Sequence, residues 1–296
     1  MNSPDHARSG VVTNTSTKTL LAALSGSPET GAVLNAAIGM ARLVGSEVEA
    51  VHVAEEARGT EGHVRATRAA GVVLRERKGP IADQLLEALE SPTVLGVVMG
   101  LRAFISGPRP AGSTALGVLR AATKPILFVP PEAYSPSPFE PRRLLVPLDG
   151  TQETSTAFLE FESDLQPDAD REITVVYTVD GIGTPLLERP KHDLLAWSTE
   201  FVRQHCPGEH RSFVWRTGNP ADAVIKVAEK AANDLIVLCF GGDIEVGHGA
   251  VVREVLARSP IPVLVLPACR SASSGDAGTE EPNLRVNQQM HSVTAG

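Results

Sequence analysis

The sequence predicts an α/β protein that consists of two tandem doubly wound parallel sheets. The chain has 296 residues, which is enough for two domains of ordinary size. Short apolar segments alternate with amphipathic segments in both halves, as strands and helices do when helices cover each face of a parallel sheet. The same order of segments occurs twice, and a proline-rich stretch separates the two copies. Right-handed crossovers between successive parallel strands then produce the doubly wound topology.

The proline-rich stretch marks the boundary between the two domains. Residues 130–141 contain five prolines, whose fixed φ angles and missing N–H groups favour an extended connector over an element interior. Both ends of the chain are polar and lack hydrophobic periodicity, so they are predicted to be disordered. The chain therefore divides into an N-terminal tail, a first domain, a linker, a second domain and a C-terminal tail, at 1–17, 18–130, 131–141, 142–268 and 269–296.

The first half contains five apolar segments that have the length of buried strands, at Thr19–Leu24, Val48–Val53, Val72–Arg77, Val94–Met99 and Pro125–Val129. Start signals predict three helices between them. Ser27-Pro28-Glu29 supplies an N-cap, a proline at the first helical position and an acidic residue, ahead of a helix that ends near Leu43. Gly79-Pro80 begins a second helix that reaches about Glu90, and Gly112-Ser113 begins a third.

The second half repeats this order, with strands predicted at Leu144–Leu148, Ile173–Thr178, Ser212–Trp215, Leu235–Cys239 and Ile261–Leu266. Helices are predicted from about Thr151, at Pro220 and after Gly249. Two pairs of matching motifs support a duplication. They are Gly79-Pro-Ile-Ala-Asp83 with Gly218-Asn-Pro-Ala-Asp222, and Lys124-Pro-Ile-Leu-Phe-Val-Pro130 with Ile261-Pro-Val-Leu-Val-Leu-Pro267.

The two halves differ between their second and third strands. The segment Leu186–His205 has apolar residues at roughly helical spacing, at Leu194, Leu195, Trp197 and Phe201. This spacing predicts a helix that packs on the sheet or on the other domain. The corresponding segment of the first half, Ala54–Gly71, is shorter and polar, so we expect the two domains to have diverged.

Composition and charge argue against several classes of function. The formal net charge is −8 and no Lys/Arg cluster stands out, so the electrostatic footprint of nucleic-acid binding is missing. No apolar stretch approaches the ~18–20 residues that cross a bilayer, and residues 1–17 lack the pattern of a secretory signal. Cys206, Cys239 and Cys269 have neither paired nor metal-type spacing. We therefore expect a cytoplasmic protein without nucleic-acid or membrane partners, and we predict no metal site and no catalytic set of side chains.

Ligands of a doubly wound sheet bind beyond the carboxyl ends of its strands, where the strand order reverses. Gly112-Ser113 follows the fourth strand of the first half. Glycine lets the backbone approach a phosphate, and a helix N-terminus offers free N–H groups to an anion. With these features, the sequence resembles the universal stress protein family over about residues 18–267. The resemblance implies a Rossmann-like fold and an ATP site at the strand ends.

The ATP-binding members of that family have an aspartate at the end of the first strand and backbone groups at the end of the second strand that hold adenine. A loop of pattern G-x-x-G-x9-G-[ST] follows their fourth strand. In the first half, Gly100, Gly112 and Ser113 match this loop, but Ala103 replaces its second glycine and the loop is one residue shorter than the pattern. Val53 occupies the adenine position. Ser25 stands in place of the aspartate. A serine can hydrogen-bond a ribose hydroxyl, but it lacks the stronger charge-assisted contact.

The second half departs from the family pattern at other positions. Asp149 matches the family aspartate, Gly242 matches the second loop glycine, and Thr178 and Gly249 complete the candidate nucleotide-binding residues of this half. Cys239 occupies the first glycine position, the loop is shorter than the pattern, and alanine follows Gly249 where a hydroxyl residue is expected. The resemblance therefore implies that triphosphate binding is lost here and that it is weak in the first half.

The favoured function is a stress-response or regulatory protein that acts through its conformation and through protein partners, with degenerate or weak adenine-nucleotide binding. Mg²⁺ is expected only together with ATP. One alternative is an ATP-binding switch or slow ATPase that works mainly through the first domain, and another is an interaction module without a ligand. Members of the family pair through their last strands. The resemblance therefore implies an internal pseudo-dimer through Ile126–Val129 and Val263–Leu266, and two chains can also associate as a homodimer.

Several of these residues also have a simpler structural interpretation. Gly112-Ser113 is either a phosphate site or an ordinary helix start capped by its serine, and Asp149 is either a ligand residue or a helix cap. Cys239 is either a redox sensor or a small buried thiol. Among the histidines, His52 is expected to be packed or hydrogen-bonded. Three others, His192, His205 and His210, are expected to be solvated.

Overall fold

The protein is represented by a computed structural model that describes residues 17–25, 30–54, 61–101, 112–134, 137–167, 170–179, 194–241 and 248–268. The first half contains β1 (Thr19–Leu24), α1 (Thr30–Val44), β2 (Glu47–Ala54), α2 (Glu61–Ala70), β3 (Val73–Lys78), α3 (Ile81–Leu89), β4 (Val94–Gly100), α4 (Ser113–Ala121) and β5 (Ile126–Val129). The predicted helix start at 27–29 and both predicted tails lie outside the described residues, apart from Thr17.

A short 3₁₀ turn at Pro131–Ala133 follows β5. The second half contains β6 (Arg143–Pro147), α5 (Gln152–Ser163), β7 (Glu172–Val179), α6 (Leu194–His205), β8 (Arg211–Thr217), α7 (Pro220–Lys230), β9 (Leu235–Phe240), α8 (His248–Arg258) and β10 (Val263–Pro267). Strands and helices alternate in both halves, and the predicted α/β fold class is confirmed. In the described residues, no helix is long and apolar enough to cross a membrane.

The described strands form one sheet of ten, in the order β3-β2-β1-β4-β5-β10-β9-β6-β7-β8. Each half contributes five parallel strands, and β5 and β10 join them in antiparallel orientation. Phe128 pairs with Val263, Leu127 with Leu264, and Ile126 with Val265. The expected pairing of the last strands is therefore present. It joins the two predicted sheets into one, since it leaves neither apolar strand at an open edge.

Both faces of this sheet carry a hydrophobic core that runs across the two halves. On one face, Phe128 of β5 belongs to the same cluster as Leu145 of β6 and Val255 of α8. On the other face, Leu34 of α1 shares a cluster with Phe158 of α5 and Leu264 of β10. The two halves thus share their cores across the β5–β10 junction.

The duplicated glycine motif has a backbone explanation. Gly79 and Gly218 both follow an outer strand and have φ angles of 131° and 103°, a region that favours glycine. In the second copy, the side chain of Asn219 caps α7 by accepting a hydrogen bond from the backbone N of Asp222, and Pro220 follows at the first helical position. The matching sequences therefore encode the same strand-to-helix turn in each half.

The described part of the proline-rich linker packs on α1. Asn35 of α1 donates from Nδ2 to the carbonyl oxygen of Ser137 over 2.5 Å, and its Oδ1 accepts from the backbone N of Phe139 over 3.3 Å. Phe139 lies so close to Gly39 that a Cβ at Gly39 would stand 2.0 Å from the Phe139 carbonyl oxygen. The absence of a side chain at Gly39 makes this approach feasible.

The segments between the second and third strands of each half differ from the predictions in two features. The polar segment Ala54–Gly71 contains the helix α2, which no apolar periodicity signalled. In α6, Trp197 and Phe201 pack against the sheet as predicted, but Leu195 is 81% exposed. Leu195 does not serve the packing role expected from its spacing, because its position places it on the outer side of the helix.

Candidate functional site

In the first half, the predicted site residues lie at one edge of the sheet. Leu24 pairs with His52 and Ala23 with Met99, so the next residues along the three strands are Ser25, Val53 and Gly100. β1 lies between β2 and β4, which is where the strand order reverses in this half. This edge is the place where doubly wound sheets bind ligands.

The helix α4 begins at the same edge, directly after Gly112. Gly112 is the N-cap, with φ −57° and ψ 151°, and no side chain among the described residues caps the helix. Ser113 is the first helical residue and is exposed, so it does not cap the helix as the simpler interpretation expected. Among the described residues, which leave out 102–111, a Cβ at Gly112 would meet no atom within 4 Å. No described residue therefore covers the start of α4, and its N–H groups suit an anion.

The corresponding edge of the second half has a different polar arrangement. Asp149 follows β6 and accepts three hydrogen bonds at Oδ1: from the Thr151 backbone N over 3.0 Å, from Thr151 Oγ1 over 2.8 Å and from Thr154 Oγ1 over 2.6 Å. Thr151 is the N-cap of α5. Asp149 thus orients the cap of α5, which favours its structural interpretation. Thr178, near the end of β7, is half-buried at the same edge.

The start of α8 also differs from that of α4. α8 begins at His248, so Gly249 is its second residue rather than the residue before it, and Gly249 is buried. Gly242 lies outside the described residues. The loop in this half is shorter than in the first half, and the helix start is displaced relative to the glycine. Gly249 therefore does not reproduce the open position of Gly112.

Aromatic side chains of α6 pack close to Asp149. Gly150 has φ 84°, and a Cβ there would approach Phe201 Cε2 at 3.2 Å. Phe201 in turn contacts Tyr177 and Trp197, with ring centroids 5.1 and 5.3 Å apart. This cluster occupies space beside the strand ends of the second half. The apolar spacing in α6 predicts that these side chains pack. The position of Phe201 over Gly150 is a tertiary contact that the spacing alone does not specify.

The two cysteines in the described residues are buried and poorly suited to redox sensing. Burial raises the pKa of the Cys239 thiol to about 12 and that of Cys206 to about 11. The Cys239 Sγ donates to the carbonyl oxygen of Thr154 over 3.3 Å. Because the thiolate is the reactive form, the buried-thiol interpretation of Cys239 is the one that the structure favours.

We expect both buried cysteines to resist alkylation in the folded protein. Iodoacetamide at pH 8 should leave the peptides that contain Cys206 and Cys239 at least about 100-fold less modified than in denatured protein, because both thiols are protonated and enclosed. Peptide mass spectrometry measures each site separately. Rapid labelling of Cys239 in the folded protein would contradict its assignment as an inert thiol.

Two buried histidines were not anticipated. His205 was expected to be solvated, but it is 7% exposed, and its Nδ1 lies 2.7 Å from Ser155 Oγ. His63, on α2, is 3% exposed and stacks on His52. The prediction for His52 is confirmed, since its ring is buried and Nδ1 donates to the Leu24 carbonyl oxygen over 2.9 Å. His210 is exposed, and His192 lies outside the described residues.

The alternation of strands and helices and the strand order define a tandem doubly wound α/β protein. Residues 140–267 match the universal stress protein family. The second half of the chain is thus a domain of that family, and the resemblance seen in the sequence is confirmed. In the described ranges, no group of three or more His, Cys, Asp and Glu residues could hold a metal ion.

Comparison with solved structures supports the same fold over both halves. A universal stress protein from Archaeoglobus fulgidus DSM 4304 has a TM-score of 0.64 at 19% identity, and the similarity covers 85% of this chain and 98% of that one. A functionally unknown protein from Pseudomonas aeruginosa PAO1 has a TM-score of 0.58 at 14% identity, and the similarity covers 85% of this chain and 93% of that one. None of the curated proteins compared with this sequence matches it.

Proposed function

We propose that this chain is a tandem universal stress protein in which only the first half retains a nucleotide site. In this proposal, the first domain, residues 18–130, also belongs to the family and binds an adenine nucleotide weakly. Mg²⁺ binds only as the nucleotide's counterion. Residues 142–268 have lost triphosphate binding and act as a structural partner. The protein then works in the cytoplasm as a regulator, through its conformation and through contacts with other proteins.

The contrast between the two helix starts carries this proposal. Gly112 precedes α4, and a Cβ there would have no atom of the described residues within 4 Å, whereas Gly249 is buried inside the first turn of α8. A phosphate needs accessible N–H groups at a helix N-terminus, and the first half offers them more readily. In the second half, the carboxylate that the family uses at the end of the first strand is engaged by Thr151 and Thr154.

The remaining edge residues support weak binding in the first half. Ser25 is exposed at the end of β1, and its hydroxyl is suited to a ribose hydroxyl. It replaces a carboxylate, so the charge-assisted part of that hydrogen bond is missing. We expect a dissociation constant of about 0.1 mM, which corresponds to a binding free energy of roughly −5.5 kcal/mol.

Titration calorimetry with ATP and Mg²⁺ tests the site through Gly112→Val. The new side chain fills open space, so the fold should persist while the path of a phosphate to α4 is blocked. We expect one weak site per chain and at least about a tenfold loss of affinity in the variant, or more than 1.4 kcal/mol. Gly117→Ala on the same helix is the matched control, because its Cβ would make an ordinary contact with Ala82.

The same titration distinguishes the alternatives. Micromolar affinity that Gly112→Val abolishes would favour the ATP-dependent switch in the first half. No binding at millimolar ATP would overturn the nucleotide site and leave the ligand-free interaction module. Asp149→Ala should not change the affinity, since the proposal assigns Asp149 to the start of α5.

A further inference from the structure

Two buried histidines stack beneath the candidate site of the first half. His52 lies on β2 and His63 on α2, and their ring centroids are 4.5 Å apart with an interplanar angle of 38°. The two side chains are 8% and 3% exposed. Imidazole rings in such contact are compatible with each other when both are neutral, whereas two imidazolium ions this close would repel each other strongly.

Each ring binds one end of the turn between β1 and α1. His52 Nδ1 lies 2.9 Å from the Leu24 carbonyl oxygen, and because a carbonyl only accepts, Nδ1 must carry the proton. His63 Nδ1 lies 3.2 Å from Thr30 Oγ1, and Thr30 is the first residue of α1. The histidine pair therefore links the residue before Ser25 to the residue that begins α1.

The environment of His63 disfavours its protonated form. Its Nε2 is buried and has no hydrogen-bond partner in the described chain, so an N–H there would be left without an acceptor. Burial lowers the pKa of His63, the neighbouring His52 lowers it further, and Glu76 on β3 opposes the shift.

The other charged groups on the elements around α2 have different roles. Glu49 of β2 and Arg75 of β3 form an ion pair, and Arg77 of β3 pairs with Glu87. Arg42 lies in the last turn of α1, far along the helix from Thr30. On α2 itself, Arg65 and Arg68 are exposed.

We propose that His52 and His63 are positioning residues that hold the end of β1 at Leu24 and α1 at Thr30, and that protonation of His63 drives α2 away from α1, which releases Thr30 and weakens nucleotide binding at this edge. The nucleotide part of this inference rests on the proposed function. The clamp itself rests on the two hydrogen bonds, the ring stack and the unpartnered Nε2.

The direction of the pH effect follows from proton binding in the folded and unfolded chain. An unfolded histidine titrates near pH 6.5, whereas folded His63 does so at lower pH. As the pH falls below 6.5, the unfolded chain binds a proton at this histidine and the folded chain does not. The free energy of unfolding therefore decreases as the pH falls. Movement of α2 away from α1 exposes Nε2 to water and relieves this cost. That movement also breaks the bond between His63 and Thr30.

The second half supplies a matched control. His205 on α6 lies 2.7 Å from Ser155 Oγ on α5, so a buried histidine again contacts a hydroxyl on the first helix of its half. Burial lowers the pKa of His205, and Asp149 opposes the shift. His205→Gln removes a similar titrating group without touching the first-half edge.

Hydrogen–deuterium exchange at pH 7.5 and 5.5, corrected for intrinsic rates, tests the clamp without any ligand. In the wild type we expect protection of the second turn of α1, whose N–H groups are the first to bond within the helix, to fall about tenfold at pH 5.5, which is the response to one proton over one pH unit. His63→Gln should remove this pH dependence, and Thr30→Val should reduce protection at both pH values. His205→Gln should behave as the wild type does at this turn.

ATP titrations of the same four proteins at both pH values test the regulatory part. Affinity should fall about tenfold more in the wild type and in His205→Gln than in His63→Gln, since ATP's own titration is common to all of them. Failure to bind ATP at pH 7.5 would overturn the proposed function. The exchange measurements need no ATP, so they would still test whether the histidine contacts hold α1. Equal pH dependence of exchange in wild type and His63→Gln would overturn the clamp.

Discussion

The variant Gly39→Ala should lower the free energy of unfolding by about 3 kcal/mol, because the linker lies directly on this position of α1. A Cβ there would stand 2.0 Å from the carbonyl oxygen of Phe139 and 2.9 Å from its carbonyl carbon. A backbone carbonyl cannot rotate away as a flexible side chain does, so either the linker or α1 must shift. Movement of the linker would also strain the two hydrogen bonds that Asn35 makes with it. Urea unfolding measures the effect.

Gly31→Ala on the same helix is the control for this prediction. Gly31 is exposed near the start of α1, and in the part of the chain that the structure describes a Cβ there would meet no atom within 4 Å. Alanine is a better helix former than glycine, so this variant should be stabilised by up to about 1 kcal/mol. Equal stability changes in Gly31→Ala and Gly39→Ala would show that the linker does not rest on α1.

Removal of the Phe128 side chain should destabilise the second half even though Phe128 belongs to the first. Phe128 is fully buried on β5 and pairs with Val263 of β10. Phe128→Ala should cost about 4 kcal/mol through lost burial and the cavity left behind. The chain has two tryptophans, Trp197 and Trp215, and both lie in the second half. Tryptophan fluorescence during urea unfolding therefore reports whether damage in β5 reaches the other domain.

If the two halves unfold as one unit, the fluorescence midpoint of Phe128→Ala should fall together with the midpoint from far-ultraviolet circular dichroism. Val73→Ala on the outer strand β3 is the control, since Val73 is 65% exposed. Its transition should stay close to that of the wild type. An unchanged fluorescence transition in Phe128→Ala would mean that the halves are independent and that the β5–β10 junction does not couple them.

Most of the fold could be predicted from the sequence because its signals are local. Buried parallel strands are continuous apolar runs, and β1 at Thr19–Leu24 has the bounds that its run predicted. Start signals such as Asn219-Pro220 located helices to within about two residues. The duplicated glycines marked the two turns with positive φ, where the backbone requirement is itself local.

Other features depend on tertiary contacts that no local pattern records. The helix α2 is polar on most of its surface and packs chiefly through the buried His63 and Thr67, so it lacks the apolar spacing that identified α6. The docking of Phe139 on Gly39 joins residues 100 positions apart in the chain. The role of Asp149 was left open between ligand residue and helix cap. The geometry favours a structural role of a different kind, because Thr151 is the cap and Asp149 accepts hydrogen bonds from Thr151 and Thr154.

Only part of the edge that we propose as a nucleotide site could be predicted from the sequence. The topological rule placed Ser25, Val53 and Gly100 at one edge, and the register of β1 with its neighbours agrees with that placement. Sequence motifs could not reveal that Gly249 is buried, whereas a Cβ at Gly112 would have no atom of the described residues within 4 Å. Nor could they show that two histidines lie beneath the edge, since His63 is on a helix that was not predicted.

A crystal structure grown with millimolar ATP and Mg²⁺ tests the central claim of an asymmetric pair of domains most directly. We expect one nucleotide per chain, with its phosphates at the start of α4 and its ribose near Ser25, and no nucleotide at the edge beside Asp149. A nucleotide bound beside Asp149, or bound at both edges, would show that the two domains do not differ in this way.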